Sequence, residues 1–220
     1  MAEHSGNIYG LTKECIDTYG LISQGDRVLL GVSGGKDSLS CLSVLKNLSC
    51  EYGFELGGVF VSYPMKALPE ETENYIRELV PFYLWDPCYD GNVTCSMCSR
   101  VRRKSLLECA EKYGYNKIAV AHNYEDNAET VMLNIFTGNR ELLLEPKRIY
   151  FKKYTLIRPF LFVTEKKIIS FAERNGLPVC RNECPNLPEC GRIKIREMLK
   201  EFSGKYPNIY KNIINTGKTI

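Results

Sequence analysis

The 220-residue sequence lacks long apolar runs, and none approaches the roughly 20 residues that a membrane-spanning helix needs. Its first ten residues, MAEHSGNIYG, lack the basic-then-apolar pattern of a secretory signal peptide. Internal repeats and low-complexity blocks are also absent. We therefore expect no membrane partner, a cytoplasmic location and one sizeable globular domain.

The two most familiar nucleotide-binding signatures are missing as well. The sequence contains neither GxxxxGK[ST], the Walker phosphate loop, nor GxGxxG, the dinucleotide-binding fingerprint. If the protein binds a nucleotide, a different loop must hold the phosphates.

Cysteine, in contrast, is abundant, with ten residues in the chain. Because a reducing cytosol disfavours disulfides, clustered cysteines there indicate metal binding or catalysis. Cys95 and Cys98 form a CxxC motif, which suits a zinc half-site, a redox pair or an iron–sulfur half-site. A later Pro- and Asn-rich segment adds Cys180, Cys184 and Cys190, and a local structural zinc site there stays an alternative. Four others have apolar or helical surroundings and are predicted in the core: Cys15, Cys41, Cys50 and Cys109.

The charges are distributed unevenly along the chain. Residues 1–90 carry 6 Lys or Arg and 13 Asp or Glu, a net charge of −7, whereas residues 91–220 carry 23 and 13, a net charge of +10. Such asymmetry favours a polyanionic partner for the second part of the chain. Solvated basic helix faces are the alternative, and charge alone does not separate the two.

Short apolar runs alternate with helical patterns along the chain. The runs GDRVLLGV, FELGGVFVSY, FYLWD, KIAVAH and YTLIRPF are each typical of a buried strand. This alternation predicts an α/β fold with a doubly wound, mostly parallel five-stranded sheet and helices on both faces. Ligands of such sheets bind beyond the carboxyl ends of the strands.

The hexapeptide SGGKDS, residues 33–38, follows the first predicted strand and opens a helix. Small residues there let backbone N–H groups surround an anion, and the helix N-terminus adds positive potential. Lys36 can neutralise phosphate oxygens, while Ser33 and Ser38 can donate hydroxyl hydrogen bonds. A carboxylate beside a phosphate is unfavourable unless a cation lies between them, so Asp37 suggests Mg²⁺. A Gly-rich turn with a serine cap explains two glycines but not the whole hexapeptide.

This hexapeptide resembles the pyrophosphate loop of the ATP pyrophosphatases, which cleave ATP to AMP and pyrophosphate. Four further stretches occur in the same order as in the tRNA 2-thiocytidine synthetases and the archaeal-type 2-thiouridine synthetases of that superfamily. They are TCSMCSRVRRKSLL, KIAVAHNYEDNAETVMLNIFTGN, IRPFLFVTEKKIISFA and REMLKEFSGKYP. The resemblance implies an enzyme that adenylates the C2 oxygen of a pyrimidine in tRNA and replaces it with sulfur.

The resemblance also implies the domain layout and the cofactors. An N-terminal helical segment (1–24) would precede the ATP pyrophosphatase domain (25–178), and a cysteine-containing loop with a basic helix (179–220) would pack on it. The cofactors would be ATP, Mg²⁺ and a 4Fe–4S cluster with one open iron. The partners would be tRNA and a sulfur donor, either inorganic sulfide or a sulfur-carrier protein, and a homodimer is an option.

The implied site residues fall into three groups. Catalysis is expected from Lys36, Asp37 and Asp126, and ATP binding from Ser33, Gly34, Gly35, Lys36, Asp37, Ser38, Val61, Ala121 and Asp126. The expected cluster ligands are Cys95, Cys98 and Cys184, with Cys180 as the competitor for the third place. The RNA contacts are expected from Arg100, Arg102, Arg103, Lys104, Arg192 and Arg196. The chain departs from the family in having Glu125 where an aspartate is usual.

Two other functions compete with tRNA thiolation. A lysidine-synthetase-like enzyme would use an amine in place of sulfide, but it would leave the CxxC motif and the late cysteines without a role. A non-enzymatic, zinc-stabilised RNA-binding module would explain the cysteines and the basic residues. It would leave the intact SGGKDS hexapeptide unexplained.

Overall fold

The computed structural model describes residues 7–62, 67–89, 94–139, 143–180 and 191–219. Within these ranges six strands form one sheet: β1 (Arg27–Gly31), β2 (Glu55–Val61), β3 (Phe82–Trp85), β4 (Lys117–Ala119), β5 (Lys147–Tyr150) and β6 (Tyr154–Ile157). Their order is β3-β2-β1-β4-β6-β5, and all pairs are parallel except β5 with β6. The predicted mostly parallel α/β fold is confirmed.

The predicted count of five strands is wrong, because β5 forms an antiparallel edge beside β6. Its sequence is KRIY, and its first three residues are exposed to solvent. An edge strand that buries little has no apolar run, so the pattern used for the other five strands does not detect it.

Eight helices are described: α1 (Ile8–Tyr19), α2 (Lys36–Tyr52), α3 (Glu70–Leu79), α4 (Cys95–Tyr113), α5 (Tyr124–Thr137), α6 (Glu165–Arg174), α7 (Gly191–Ser203) and α8 (Ile209–Thr219). The start of α5 is set by a capping box, in which Asn123 and Asp126 exchange side-chain to backbone hydrogen bonds. Gly138 ends the same helix in the left-handed conformation at φ +70°, which glycine adopts without strain. None of the described helices is long and apolar enough to cross a bilayer.

Helices cover both faces of the sheet, as the doubly wound prediction requires. Alternate residues of β1 point to opposite faces, so Val28 and Leu30 join one core while Leu29 joins the other. The larger core contains residues of α1, α2, α3 and α6, and the smaller one contains residues of α4. The N-terminal helix α1 therefore packs on the same core as the sheet.

Three of the four cysteines predicted to lie in the core are fully buried, namely Cys15, Cys41 and Cys109. The prediction for Cys50 is wrong, because it lies exposed near the end of α2. The buried positions of this helix lie between Ser38 and Leu48, and Cys50 lies beyond them in the last turn.

Candidate nucleotide-binding site

The phosphate-loop candidate, residues 33–38, joins the carboxyl end of β1 to the first turn of α2. The Ser38 hydroxyl accepts a hydrogen bond from the Ser33 N–H (3.1 Å) and donates one to the Gly35 carbonyl (2.9 Å), which holds the loop closed on itself. In the described part of the chain no side chain caps α2. The N–H groups of its first turn are therefore available to an anion.

Gly34 is the position where this loop requires glycine. Its φ of +79° lies in the left-handed region, and a Cβ placed there would lie 2.3 Å from the Cys180 sulfur. The Cys180 N–H also donates a 3.0 Å hydrogen bond to the Gly34 carbonyl. Two residues earlier, the Pro178 carbonyl accepts from the Thr72 hydroxyl at 2.8 Å. The segment leading into the late cysteines is thus attached to the phosphate loop.

Lys36 and Asp37, two predicted catalytic residues, contact each other and residues from two other loops. The Lys36 ammonium lies 2.8 Å from an oxygen of Asp37 and 3.0 Å from an oxygen of Glu165. The Asn123 side chain donates to the other Asp37 oxygen at 3.0 Å. Burial lowers the Lys36 pKa, but the carboxylates of Asp37 and Glu165 outweigh it, so the pKa lies above its usual value.

Sequence reasoning missed Asn123 and Glu165. Each lies at a helix start, where an amide or an acid is more simply interpreted as a cap or a complement to the helix dipole. The available signal was positional: Asn123 follows β4 and Glu165 follows β6, and these strands end at the same sheet edge as β1.

Asp126 lies on the same edge, at the third position of α5, and is linked to α7. One of its oxygens accepts from the Asn123 N–H (3.0 Å) and the other lies 3.2 Å from the Arg196 guanidinium. Arg196 also makes two hydrogen bonds to the carboxylate of Glu129, at 2.6 and 2.9 Å. Arg192 donates to the Thr130 hydroxyl at 3.1 Å. These contacts hold α7 against α5, at the edge of the sheet where the phosphate loop lies.

Two predicted RNA contacts, Arg192 and Arg196, are therefore engaged with acidic and hydroxyl groups of their own chain. Arg196 neutralises Glu129, whose side chain is only 2% exposed and whose unpaired charge would be costly there. Contact of either arginine with RNA stays a prediction. In this structure both contribute to the docking of α7.

His122 and Glu125, beside Asp126, have perturbed acidities. Burial and four nearby arginines hold the His122 pKa well below its usual range, and its Nδ1 accepts a hydrogen bond from Arg158 Nε at 3.1 Å. Burial raises the pKa of Glu125 to about 7. Glu125 Oε2 accepts from the Glu165 N–H at 2.8 Å and so ties the start of α5 to the start of α6.

The two remaining predicted ATP contacts also lie at this edge. Val61 is the last residue of β2 and is buried, and Ala121 is partly buried just after β4. The structure thus brings the predicted nucleotide-binding positions together at the carboxyl ends of β1, β2 and β4.

The predicted cluster ligands are only partly described. Cys95 is the first residue of α4, after the N-cap Thr94, and Cys98 lies one turn later and is partly buried. Cys184 and Cys190 lie outside the described residues. Among the residues that the structure does describe, no group of three His, Cys, Asp or Glu side chains forms a metal site.

The four basic residues after the CxxC motif lie along α4 and are exposed: Arg100, Arg102, Arg103 and Lys104. Lys104 lies 3.4 Å from Glu108 on the same helix. The Arg103 guanidinium lies 5.9 Å from the centre of the Tyr150 ring on β5. We refer to Arg100, Arg102, Arg103 and Lys104 together as the basic face of α4.

Comparison with known proteins gives a match to the PP-loop domain over residues 11–201. The chain belongs to the PP-loop family. A tRNA-cytidine(32) 2-sulfurtransferase of Alcanivorax borkumensis is 34% identical over 225 residues, which covers 92% of this chain and 76% of that relative. One from Chromohalobacter salexigens is also 34% identical, covering 90% and 76%.

A solved structure with the same fold is the U34-tRNA thiolase NcsA from Methanococcus maripaludis with its 4Fe–4S cluster. It matches with a TM-score of 0.76 and 20% identity, over 95% of this chain and 76% of that one. The predicted resemblance to tRNA thiolases is confirmed by these relatives. The PP-loop match includes residues 33–38 and all the strands of the sheet.

Proposed function

We propose that this PP-loop protein is an ATP-dependent tRNA 2-thiolase. The observation that carries the proposal is the arrangement of Lys36, Asp37 and Asp126 around Asn123, in a chain 34% identical to tRNA-cytidine(32) 2-sulfurtransferases. Of the two pyrimidine nucleosides, cytidine is favoured as the one that is modified, because these relatives are named for cytidine. The expected product is therefore 2-thiocytidine.

In the first step, residues 33–38 bind the phosphates of ATP. Backbone N–H groups of the loop and of the first turn of α2 donate to phosphate oxygens, and Lys36 neutralises them. Asp37 supplies a carboxylate for Mg²⁺, the ion expected beside the polyphosphate. Lys36 and Asp37 contact each other in this structure, so the phosphates of ATP would take Lys36 from this ion pair and leave the Asp37 carboxylate to hold Mg²⁺.

The chemistry then has two displacements. The C2 oxygen of the pyrimidine attacks the α-phosphorus of ATP, the bond to the β-phosphate oxygen breaks, and pyrophosphate leaves with its electron pair. A sulfide nucleophile next attacks C2, the C2–oxygen bond breaks, and AMP leaves with that oxygen. Holding ATP, base and sulfide together supplies the main rate gain through proximity. No oxidant or reductant is consumed.

The residues that would hold a 4Fe–4S cluster are Cys95, Cys98 and Cys184. Thiolates are the usual ligands of such clusters, and positions 95 and 98 lie one turn apart at the N-terminus of α4. The positive end of a helix stabilises thiolates there, so these two donors suit the cluster. When bound, a cluster with one open iron supplies a place to hold sulfide.

Nucleoside analysis after an anaerobic reaction tests the proposal. Protein reconstituted with iron and sulfide is incubated with ATP, Mg²⁺, sulfide and unmodified tRNA, and the digested tRNA is examined by mass spectrometry. We expect 2-thiocytidine, with one AMP and one pyrophosphate released per sulfur inserted. If thiouridine is the only product, the modified base is uridine and not cytidine. If a brown, cluster-loaded protein forms no thionucleoside, thiolation is refuted.

The basic face of α4 predicts salt-dependent tRNA binding. Reversing Arg102 and Arg103 to Glu removes up to two phosphate contacts, so the slope of log affinity against log salt should fall by about 2. We expect roughly a tenfold or greater loss of tRNA affinity at low salt, measured by fluorescence anisotropy, with ATP affinity unchanged.

The matched control is the double reversal of Lys13 and Lys46 to Glu, on α1 and α2 in the acidic part of the chain. It changes the net charge by the same amount and should leave tRNA affinity nearly unchanged. Equal losses in both double variants would mean that overall charge, and not this face, attracts RNA.

A further inference from the structure

A second cavity of about 610 Å³ lies beside the nucleotide-binding site. Its walls come from the first turn of α5, from α8, from residues 143–146 and from the segment after β6, and Tyr19 at the end of α1 closes one side. Since β4 and β6 are parallel, α5 and the segment after β6 start at the same sheet edge as the phosphate loop. The cavity volume is within the roughly 300–1,000 Å³ typical of ligand pockets.

Aromatic rings from four separate parts of the chain line this cavity: Tyr19, Tyr124, Phe162 and Tyr210. Tyr19 and Phe162 also pack on each other, with ring centres 5.7 Å apart. Rings gathered in this way offer flat faces on which a nucleobase can stack, whichever base it is.

The charged groups of the cavity favour an anion-bearing ligand. Lys211 and Lys218 lie on α8 at its wall and are exposed to solvent. Of the two acids, Glu145 already has a cationic neighbour, because it lies 3.7 Å from the Arg148 guanidinium. Glu125 is partly buried, and this burial raises its pKa to about 7, which disfavours its charged form. The positive charges of Lys211 and Lys218 are therefore only weakly offset by the acids of the cavity.

The cavity is also connected to the phosphate loop. Glu125, in its wall, accepts a hydrogen bond from the Glu165 N–H, and the Glu165 carboxylate lies 3.0 Å from the Lys36 ammonium. A ligand bound in the cavity therefore lies two contacts away from a residue expected to bind ATP phosphates.

We propose that this cavity binds one unstacked loop nucleotide of the substrate RNA, with its base among the four rings and its phosphate at Lys211 and Lys218. The proposal rests on the proposed function and names a place where the tRNA is held. A base that leaves the stack exposes its flat face and its edge, which is how single-stranded loops are recognised. The basic face of α4 positions the RNA backbone, and the cavity orients one nucleotide.

Tyr210 provides the sharpest test of base stacking, because substitution by alanine removes its ring and substitution by phenylalanine keeps it. With a fluorescent anticodon stem–loop RNA as the probe, Tyr210→Ala should weaken binding about tenfold, whereas Tyr210→Phe should bind like the wild type. The matched control is Tyr206→Ala, since Tyr206 is an exposed tyrosine whose ring centre lies 6.4 Å from that of Phe202 and which does not line the cavity. Lys218→Glu should weaken binding, and Lys205→Glu should do so much less.

Abasic RNAs then show whether Tyr210 contacts a base. A set of stem–loops, each lacking the base at one loop position, is bound to wild type and to Tyr210→Ala. At one position, removal of the base should weaken binding to the wild type but not to the variant, because both changes delete the same stacking contact. Coupling at no position would overturn the proposal even if the RNA still binds.

Two further outcomes separate this proposal from its alternatives. If Tyr210→Ala weakens binding of AMP or ATP and leaves RNA binding intact, the cavity is a site for a free nucleotide and the proposal is wrong. If the wild-type protein binds no stem–loop RNA and forms no thionucleoside, the proposed function fails as well. Tyr210→Ala that binds RNA normally while the wild type thiolates would refute the cavity alone.

Discussion

Asp37→Ala is expected to lower AMP release from ATP by at least about 10³-fold, with the fold and the iron content unchanged. The Asp37 carboxylate is the proposed Mg²⁺ ligand beside the phosphates, and it orients Lys36 at 2.8 Å and Asn123 at 3.0 Å. Its loss leaves the polyphosphate charge uncompensated in the step that expels pyrophosphate. Release of AMP in the presence of tRNA measures this directly.

Glu51→Ala is the matched control for this change, because Glu51 is an exposed carboxylate on the same helix and pairs with Lys13 at the surface. It should release AMP at the wild-type rate. Asp37→Asn keeps one oxygen that can accept from Asn123, but it loses the charge and the second acceptor oxygen, which now faces Lys36. It should therefore be nearly as inactive as Asp37→Ala. Wild-type turnover in Asp37→Ala would refute the assignment of residues 33–38 to ATP.

Cys98→Ala is expected to remove most of the cluster iron and all thiolation, while ATP still binds. Removal of one cysteine leaves a 4Fe–4S cluster with two of its three protein ligands. Cys95 is then the one remaining ligand at the start of α4, which is too few to hold the cluster there. Iron per protein after anaerobic reconstitution is the measurement. Cys50→Ala removes an exposed cysteine of α2 and should keep full iron and activity.

The third ligand is tested by the same measurement. Cys184→Ala should lose most iron and all thiolation, whereas Cys180→Ala should retain substantial iron. Cys184 is followed by Pro185 and precedes the Arg192 and Arg196 pair, and it is the ligand that the resemblance to the tRNA thiolases implies. Cys180 contacts the phosphate loop, where its N–H donates to the Gly34 carbonyl. The reverse pattern of iron loss would make Cys180 the ligand. Full iron in the double variant would exclude this segment from the cluster site.

The sequence by itself determined the alternation of strands and helices, the phosphate loop and its family. Buried strands such as VLLG are continuous apolar runs, and the loop hexapeptide is contiguous, so both are local signals. The strand β5 was missed for the same reason, because an exposed edge strand has no apolar pattern of its own.

Only the tertiary structure decided which distant side chains meet at the edge of the sheet. Asn123 lies 86 residues from Asp37, and the Cys180 sulfur contacts the Ser33 carbonyl across 147 residues. Arg192 and Arg196 have the spacing of one helix face, but their pairing with Asp126 and Glu129 depends on how α7 lies against α5. Local sequence patterns specify the helices and strands. Which charged side chains pair with each other depends on how those elements pack, and no short stretch of the sequence encodes that packing.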